Sequence, residues 1–344
     1  MLLFLIPATI IFLESRPEKG QRPKTSTNLR LPPPTKIIAL RIYPIKSCRG
    51  ISVTSRKLLK TGLDLDRQWM FADASTMKFL TIRQISKMTL INTAVDEEKD
   101  ELQISVKKID EDPDISITIP AHPSNEWLAE NTTLTSGEIW GTVTDGYAYS
   151  ETLTAPFSEF FGREVRLIYK GPTPRLLGGN GAEEYLGRKE STMFADLAPI
   201  QVSNAKSMDE LNERLKAQDE GEITIERFRP NIVVKGDKPW SEDVWKTLRI
   251  TGDKAGGKRM DHITLDVSAR CARCQVPNVD PDTAEKHKRQ PWDTMMKYRR
   301  VDEGITFKPC FGLLCVPRWE GKVAVGMDFQ VTECTEEHRY VTGM

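Results

Sequence analysis

The sequence has few cysteines and few histidines, six and four in a chain of 344, and no surplus charge of either sign, with 49 Lys plus Arg against 49 Asp plus Glu. Six cysteines at this length exclude a disulfide scaffold, so each thiol has to be read individually. The missing charge bias removes a general affinity for polyanions, and nucleic acid with it. His122, His262, His287 and His338 are scattered and lack ligand spacing such as His-x3-His. There is no internal repeat, and only one long apolar run, LLFLIPATIIFL at residues 2–13. What is present suits a folded protein: 39% hydrophobic and 28% charged residues, with seven Trp and twelve Phe, exclude wholesale disorder. The length allows two domains with full cores.

As a helix the apolar run would span about 18 Å, against a hydrocarbon core of about 30 Å. A secretory signal calls for a cation before the run and a small-x-small site after it, and Glu14, Ser15, Arg16 and Pro17 do not provide one. The cations come afterwards, at Arg16, Lys19, Arg22, Lys24 and Arg30, which favours a cytosolic body. The expectation is a membrane anchor at residues 1–13, with a disordered terminus and a signal peptide as the alternatives. Pro17, Pro23 and Pro32 to Pro34 make residues 14–35 a stiff spacer, and the body starts near Lys36.

The body opens with KIIALRIYP, followed by QWMFAD, MTLINTAV, ELQISV and DISITIP, short β-branched runs separated by turn residues. They predict an antiparallel sheet curling into a barrel or sandwich. A second set comprises PNIVVKG, LRITG, HITLDVS and KVAVGMDFQVTE. Between the sets a helix is predicted to start at Ser207, where Ser-Met-Asp-Glu forms a capping box and Met208, Leu211 and Leu215 share a face. PFSEFFGREVRLIY reads as a helix running into a strand, and residues 171–194 as a loop excursion. The fold class is α+β with β dominant.

The cysteines are Cys48, Cys271, Cys274, Cys310, Cys315 and Cys334. Cys271-x2-Cys274 and Cys310-x4-Cys315 could close a tetrathiolate zinc site. Against that, the first pair is flanked by Arg270 and Arg273, and Cys315 lies in the apolar run FGLLCVP, the usual setting of a buried inert thiol. The arginines favour thiolate at Cys271 or Cys274, and they would also hold an anionic cofactor carrying a metal. A thioredoxin-like pair lacks its βαβ context. Asp280 and Asp282, in Asp-Pro-Asp-Thr, read as turn residues bonded to nearby backbone rather than as an acid pair.

CARCQVPNVDPDTA, preceded by RFRPNIVV and followed by YRR and CFG, resembles the MOSC domain, and IIALRIYPIKSCRGISV with GLDLDRQWMFAD and LTIRQ resembles the N-terminal β-barrel domain that accompanies it. Together they are similar to the mitochondrial amidoxime-reducing components and their bacterial relatives. The resemblance implies an N-terminal barrel-like domain at 36–170, a MOSC β-barrel with peripheral helices at 195–335 and a tail at 336–344. It further implies a molybdenum-cofactor enzyme that reduces N-hydroxylated substrates. Its electrons would come from NADH through NADH-cytochrome b5 reductase and cytochrome b5, and its body would be anchored at a membrane, the mitochondrial outer membrane being the implied one. By the same resemblance Cys274 is the metal ligand, with Cys271 the competitor, and Lys46, Ser47, Arg67, Arg229, Asn231 and Arg273 are cofactor-binding. The family pattern is not followed at Leu197 and Ala198, where hydroxyl residues are usual, nor at Leu314, where an aromatic is. The alternatives are a non-redox sulfur-carrier or cofactor-binding module, and a structural zinc protein.

Overall fold

The structure, a computed structural model, describes residues 22–106, 115–252 and 262–341. The expected anchor at 1–13 lies outside them. Among the described residues no helix is long and apolar enough to cross a membrane.

Strands dominate, and seven of them close into a ring: β1 (Thr35–Ile42), β2 (Ile200–Asn204), β3 (Ile232–Val234), β4 (Trp245–Thr251), β5 (Ile263–Ala272), β6 (Cys310–Pro317) and β7 (Asp328–Cys334). Around the ring they run β3-β2-β6-β5-β4-β7-β1, and β1 pairs back onto β3. Directions cannot alternate all the way around an odd ring. One neighbouring pair must be parallel, and it is β2 with β3, in register Val202↔Ile232. A parallel pair needs a crossover, and helix α1 (Ala205–Lys216) supplies it. Met208, Leu211 and Leu215 line its buried face as predicted, but it starts two residues before Ser207. Asn204 caps it by accepting from the Lys206 amide at 3.0 Å, because the Ser207 hydroxyl is taken by buried Glu242 at 2.7 Å.

β1 comes from the N-terminal end of the chain yet is a stave of the C-terminal ring. Its inward positions change phase at an irregularity between Ile37 and Ala39, so that Ile37, Leu40 and Ile42 all face the core. Of the other early runs, Trp69–Asp73 joins a four-stranded sheet with Val165–Lys170, Thr142–Tyr149 and Thr132–Ile139, while Ile91–Asp96, Glu101–Val106 and Ser116–Pro120 form a separate meander. The last predicted run is two strands, Gly321–Ala324 and β7, broken at Gly326 with φ +90°. The predicted helix before Val165 begins well before Pro156, at Glu151, capped by Ser150, and ends at left-handed Gly162. Residues 171–194 form an ordered connection that pairs Arg175–Leu176 with Ser191–Thr192. One continuous core runs through both halves, from Ile42, Trp69 and Phe157 to Leu248 and Val331.

Burying Ile37, Leu40 and Ile42 is worth roughly 5–9 kcal/mol, comparable with the roughly 5–15 kcal/mol that holds a whole domain. A fragment of residues 171–344, which lacks β1, is therefore expected to show no cooperative thermal transition by circular dichroism, whereas residues 22–344 melt cooperatively.

Candidate functional site

A pocket with about 150 Å³ of water-accessible space opens where the ring meets the N-terminal sheet. Lys46, Ser47, Arg67, Arg229, Asn231, Arg273 and Cys274 all line it, and Cys271 does too. They arrive from four chain segments. The turn after β1 carries Lys46 and Ser47 and is fixed by the Lys46 amide donating to the Trp69 carbonyl at 2.7 Å. The turn before Trp69 carries Arg67, and the turn before β3 carries Arg229. Ser47, Arg67 and Arg229 all have left-handed backbone, with φ of 69°, 53° and 58°. Such conformations cost free energy in residues other than glycine and persist where the surrounding structure holds them.

Asn231 is buried and does the holding. Its side-chain oxygen accepts from the Gln201 amide at 3.1 Å and from Arg67 at 3.3 Å, and its amide nitrogen donates to the Arg41 carbonyl at 3.2 Å. Arg67 also pairs with Asp66 and donates to the Arg229 carbonyl at 3.2 Å. The guanidinium groups of Arg67 and Arg229 stand 4.6 and 4.3 Å from the ring of Tyr43. Burial, with Arg67 adding to it, lowers the Arg229 pKa to about 10. Lys46 is buried, donates to the Phe194 carbonyl at 2.9 Å and pairs with Asp196, and burial outweighs that pairing to leave its pKa near 8. Asp196 is exposed to water yet sits in a crowded wall. Crowding alone would raise its pKa, but Lys46 holds it well below the usual carboxylate range.

Cys271 lies near the end of β5, and Cys274 is in the turn just beyond it, half-buried. The Arg273 guanidinium turns to Cys271, donating to its sulfur at 2.9 Å, to the Gln201 side-chain oxygen at 3.1 Å and to the Phe228 carbonyl at 2.8 Å. Burial still pushes the Cys271 thiol up, with Arg273 opposing. Arg270 turns elsewhere, to Asp302 at 3.2 Å and the His338 carbonyl at 3.0 Å, so one of the two expected cations is absent from the thiols. Three buried donor atoms on the pocket residues have no hydrogen-bond partner among the described residues: Arg229 Nη2, Arg273 Nε and Gln201 Nε2.

The zinc alternative is not supported. Among the described residues no group of three or more His, Cys, Asp or Glu side chains could hold a metal. Cys315 is buried in the main core opposite Ile200 and Val267, whereas Cys310 is at the far end of β6 opposite Ala272, its thiol pushed by burial to about 12. Asp280 accepts from the amides of Asp282 and Thr283 at 2.8 and 3.2 Å, the turn role read from the sequence.

Sequence reasoning missed several lining residues: Gln201, Phe228, Asp196, Trp140 and Tyr340. Trp140 is at the tip of the Thr132–Tyr149 hairpin, where it and Gly141 have φ of 50° and 75°, as a two-residue hairpin turn requires. It donates to Asp196 at 3.0 Å and lies under Arg83 at 4.6 Å.

The ring and its pocket define the class: a β-dominant protein of two joined β domains with a cationic, thiol-bearing pocket between them. Residues 35–164 match the family model of the MOSC N-terminal beta barrel domain and residues 189–330 that of the MOSC domain, so the chain is a MOSC-domain protein. It is 27% identical to mitochondrial amidoxime-reducing component 1 of Mus musculus over 84% of this chain and 80% of that one. To the Homo sapiens protein of the same name it is 26% identical, over 84% and 81%. It is 30% identical to the molybdenum cofactor sulfurase of Arabidopsis thaliana over 78% of this chain, and spans 32% of that protein's length.

Lys46 gives a pH signature. Its folded-state pKa near 8 lies below the ordinary 10.5, so between those values the folded chain binds fewer protons than the unfolded one. Its contribution to stability therefore rises with pH across that window. In urea titrations of the cofactor-free protein, the stability difference between wild type and Lys46→Met is expected to shift in favour of wild type from pH 8 to 10.5; a pH-independent difference contradicts the assignment.

Proposed function

We propose that the protein is a molybdenum-cofactor-dependent oxidoreductase that reduces N-hydroxylated compounds such as amidoximes and hydroxylamines. Its electrons come from NADH through NADH-cytochrome b5 reductase and cytochrome b5, and residues 1–13 anchor it, with the mitochondrial outer membrane the membrane implied. The observation that carries this reading is the set of three partnerless buried donors, Arg229 Nη2, Arg273 Nε and Gln201 Nε2, on a pocket that also contains Lys46, Arg67 and the half-buried thiol of Cys274. Buried donors left without acceptors are costly. An anion with several acceptor atoms satisfies them and relieves the repulsion between Arg67 and Arg229, so the residues fit a phosphate-bearing pterin.

In this reading Lys46, Ser47, Arg67, Arg229 and Arg273 hold the anionic parts of the cofactor, Asn231 fixes the turns that present them, and Cys274 ligates the metal. When bound, the cofactor supplies the two-electron chemistry that breaks an N–O bond; with two electrons and two protons the products are the N–H compound and water. The protein orients and desolvates. Arg273 is locked by the Phe228 carbonyl and Gln201, so its charge needs no reorganisation when an anion is seated. The 30% identity to a molybdenum cofactor sulfurase favours one second reading, a cofactor-binding module without redox turnover.

Purified full-length protein is expected to carry stoichiometric molybdenum and pterin and to reduce an aromatic amidoxime with a chemical electron donor. Cys274→Ser should lose the molybdenum and about a hundredfold or more of the turnover while melting as wild type does. Turnover by molybdenum-free protein overturns the proposal, and a loaded protein that reduces no N-hydroxylated compound points to the second reading.

A further inference from the structure

The pocket has two unlike walls. Lys46, Arg67, Arg229 and Arg273 make one cationic; the other is apolar and consists of Leu197, Ala198, Leu314 and Tyr340. The anionic groups of a cofactor gain nothing from the second wall. Leu197, Ala198 and Leu314 pack together on this wall, and Tyr340 from the C-terminal tail packs among them and against Cys271.

The tail is held in place by built contacts. The Tyr340 amide donates to buried Asp302 at 2.8 Å, and the Val341 amide donates to the Asn180 side chain at 2.7 Å, which returns a bond to the Arg339 carbonyl at 2.9 Å. Arg270 donates to the His338 carbonyl at 3.0 Å, and the His338 ring meets the Trp245 carbonyl at 2.7 Å. Gly304 leaves room for this path, since a Cβ there would lie 2.0 Å from the Tyr340 carbonyl oxygen. Four consecutive residues are thus pinned by polar groups, which presents the Tyr340 ring to the pocket. Its hydroxyl makes no hydrogen bond among the described residues; burial raises its pKa to about 12, so it remains a neutral donor within electrostatic reach of Cys271 and Asp196. Tyr340 also lines a small neighbouring cavity and a groove of about 650 Å³.

We propose that Tyr340 is a specificity-determining residue of the pocket: its ring, backed by Leu314 and Leu197, is the surface on which the uncharged, flat body of an aromatic N-hydroxylated substrate lies. The proposal rests on the reductase reading. An aromatic body gains buried apolar area and ring-on-ring contact against Tyr340, whereas hydroxylamine has no apolar body to bury there.

The test uses full-length holoenzyme as wild type, Tyr340→Ala, Tyr340→Leu and Tyr340→Phe, with an aromatic amidoxime and hydroxylamine as substrates and molybdenum content and melting temperature measured on each. Tyr340→Ala and Tyr340→Leu are expected to raise KM for the aromatic amidoxime about tenfold, leaving kcat, molybdenum content and the KM for hydroxylamine within about twofold, and Tyr340→Phe is expected to restore most of the affinity. Leu fills the apolar cluster, so it reports on the ring even if the Ala variant is unstable. Equal changes for both substrates, no change for either, or loss of molybdenum from the Leu variant overturns the proposal. Failure of the reductase reading shows separately, as wild-type protein without molybdenum or without turnover.

Discussion

Everything at the pocket depends on one closure, the pairing of β1 with β3, and on the buried amide of Asn231 beside it. Asn231 touches the Arg41 carbonyl, the Gln201 amide and Arg67, three points that are 190, 30 and 164 residues away in sequence. A ring of seven staves leaves one parallel pair, and the turn that enters that pair from the crossover side carries Arg229 in left-handed backbone. If β1 is lost, the ring opens and Lys46, Ser47 and Arg67 lose their positions relative to Arg229, Arg273 and Cys274. The two halves are therefore two families of sequence but a single core.

The balanced composition hides the local electrostatics. A chain with no net charge nevertheless collects six cationic side chains, Lys46, Arg67, Arg83, Arg229, Arg273 and Lys308, around a pocket of about 150 Å³, and carboxylates pair with Lys46 (Asp196) and Arg67 (Asp66). Among the described residues Arg229 has no carboxylate in ion-pair contact, and burial lowers its pKa to about 10. Charge without a counterion, left-handed backbone at Ser47, Arg67 and Arg229, and donors without acceptors are three separate costs imposed by one fold. A bound anion offsets all three. In the proposed reading, the apolar wall with Tyr340 in it takes the uncharged substrate while the cationic wall takes the cofactor.

Much of the site was legible in the sequence because its residues belong to short stretches: YPIKSC, DRQW, FRPN and CARC. It was the family resemblance carried by those stretches that named Lys46, Ser47, Arg67, Arg229, Asn231, Arg273 and Cys274, and the fold brings all seven to one pocket; their local turn chemistry does not by itself assign them a role. The strands were legible too, since β-branched runs bounded by turn residues register locally. Pairing was not: β1 reads as the first strand of an N-terminal sheet, and only contacts across some 190 residues place it in the ring. Helix α1 was displaced by two residues because Glu242, far away in sequence, claims the Ser207 hydroxyl. Gln201, Asp196, Trp140 and Tyr340 carry no local signature, and the tail gave no hint that His338 to Val341 are pinned across the barrel. Arg270 looked equivalent to Arg273 until Asp302 was placed beside it.

The central claim is that an anionic molybdenum-bearing cofactor completes the partnerless donors around Arg229. Replacing that side chain by Gln removes its charge and one of those donors while leaving Cys274 and Arg273 in place. Measured as molybdenum and pterin per chain, Arg229→Gln is expected to fall about tenfold or more below stoichiometric wild type, and the cofactor-free variant should melt no lower than cofactor-free wild type, because a half-buried charge with no carboxylate in contact among the described residues has been removed. Full loading of the variant, or a variant that loses cofactor only because it has lost its fold, would contradict the account.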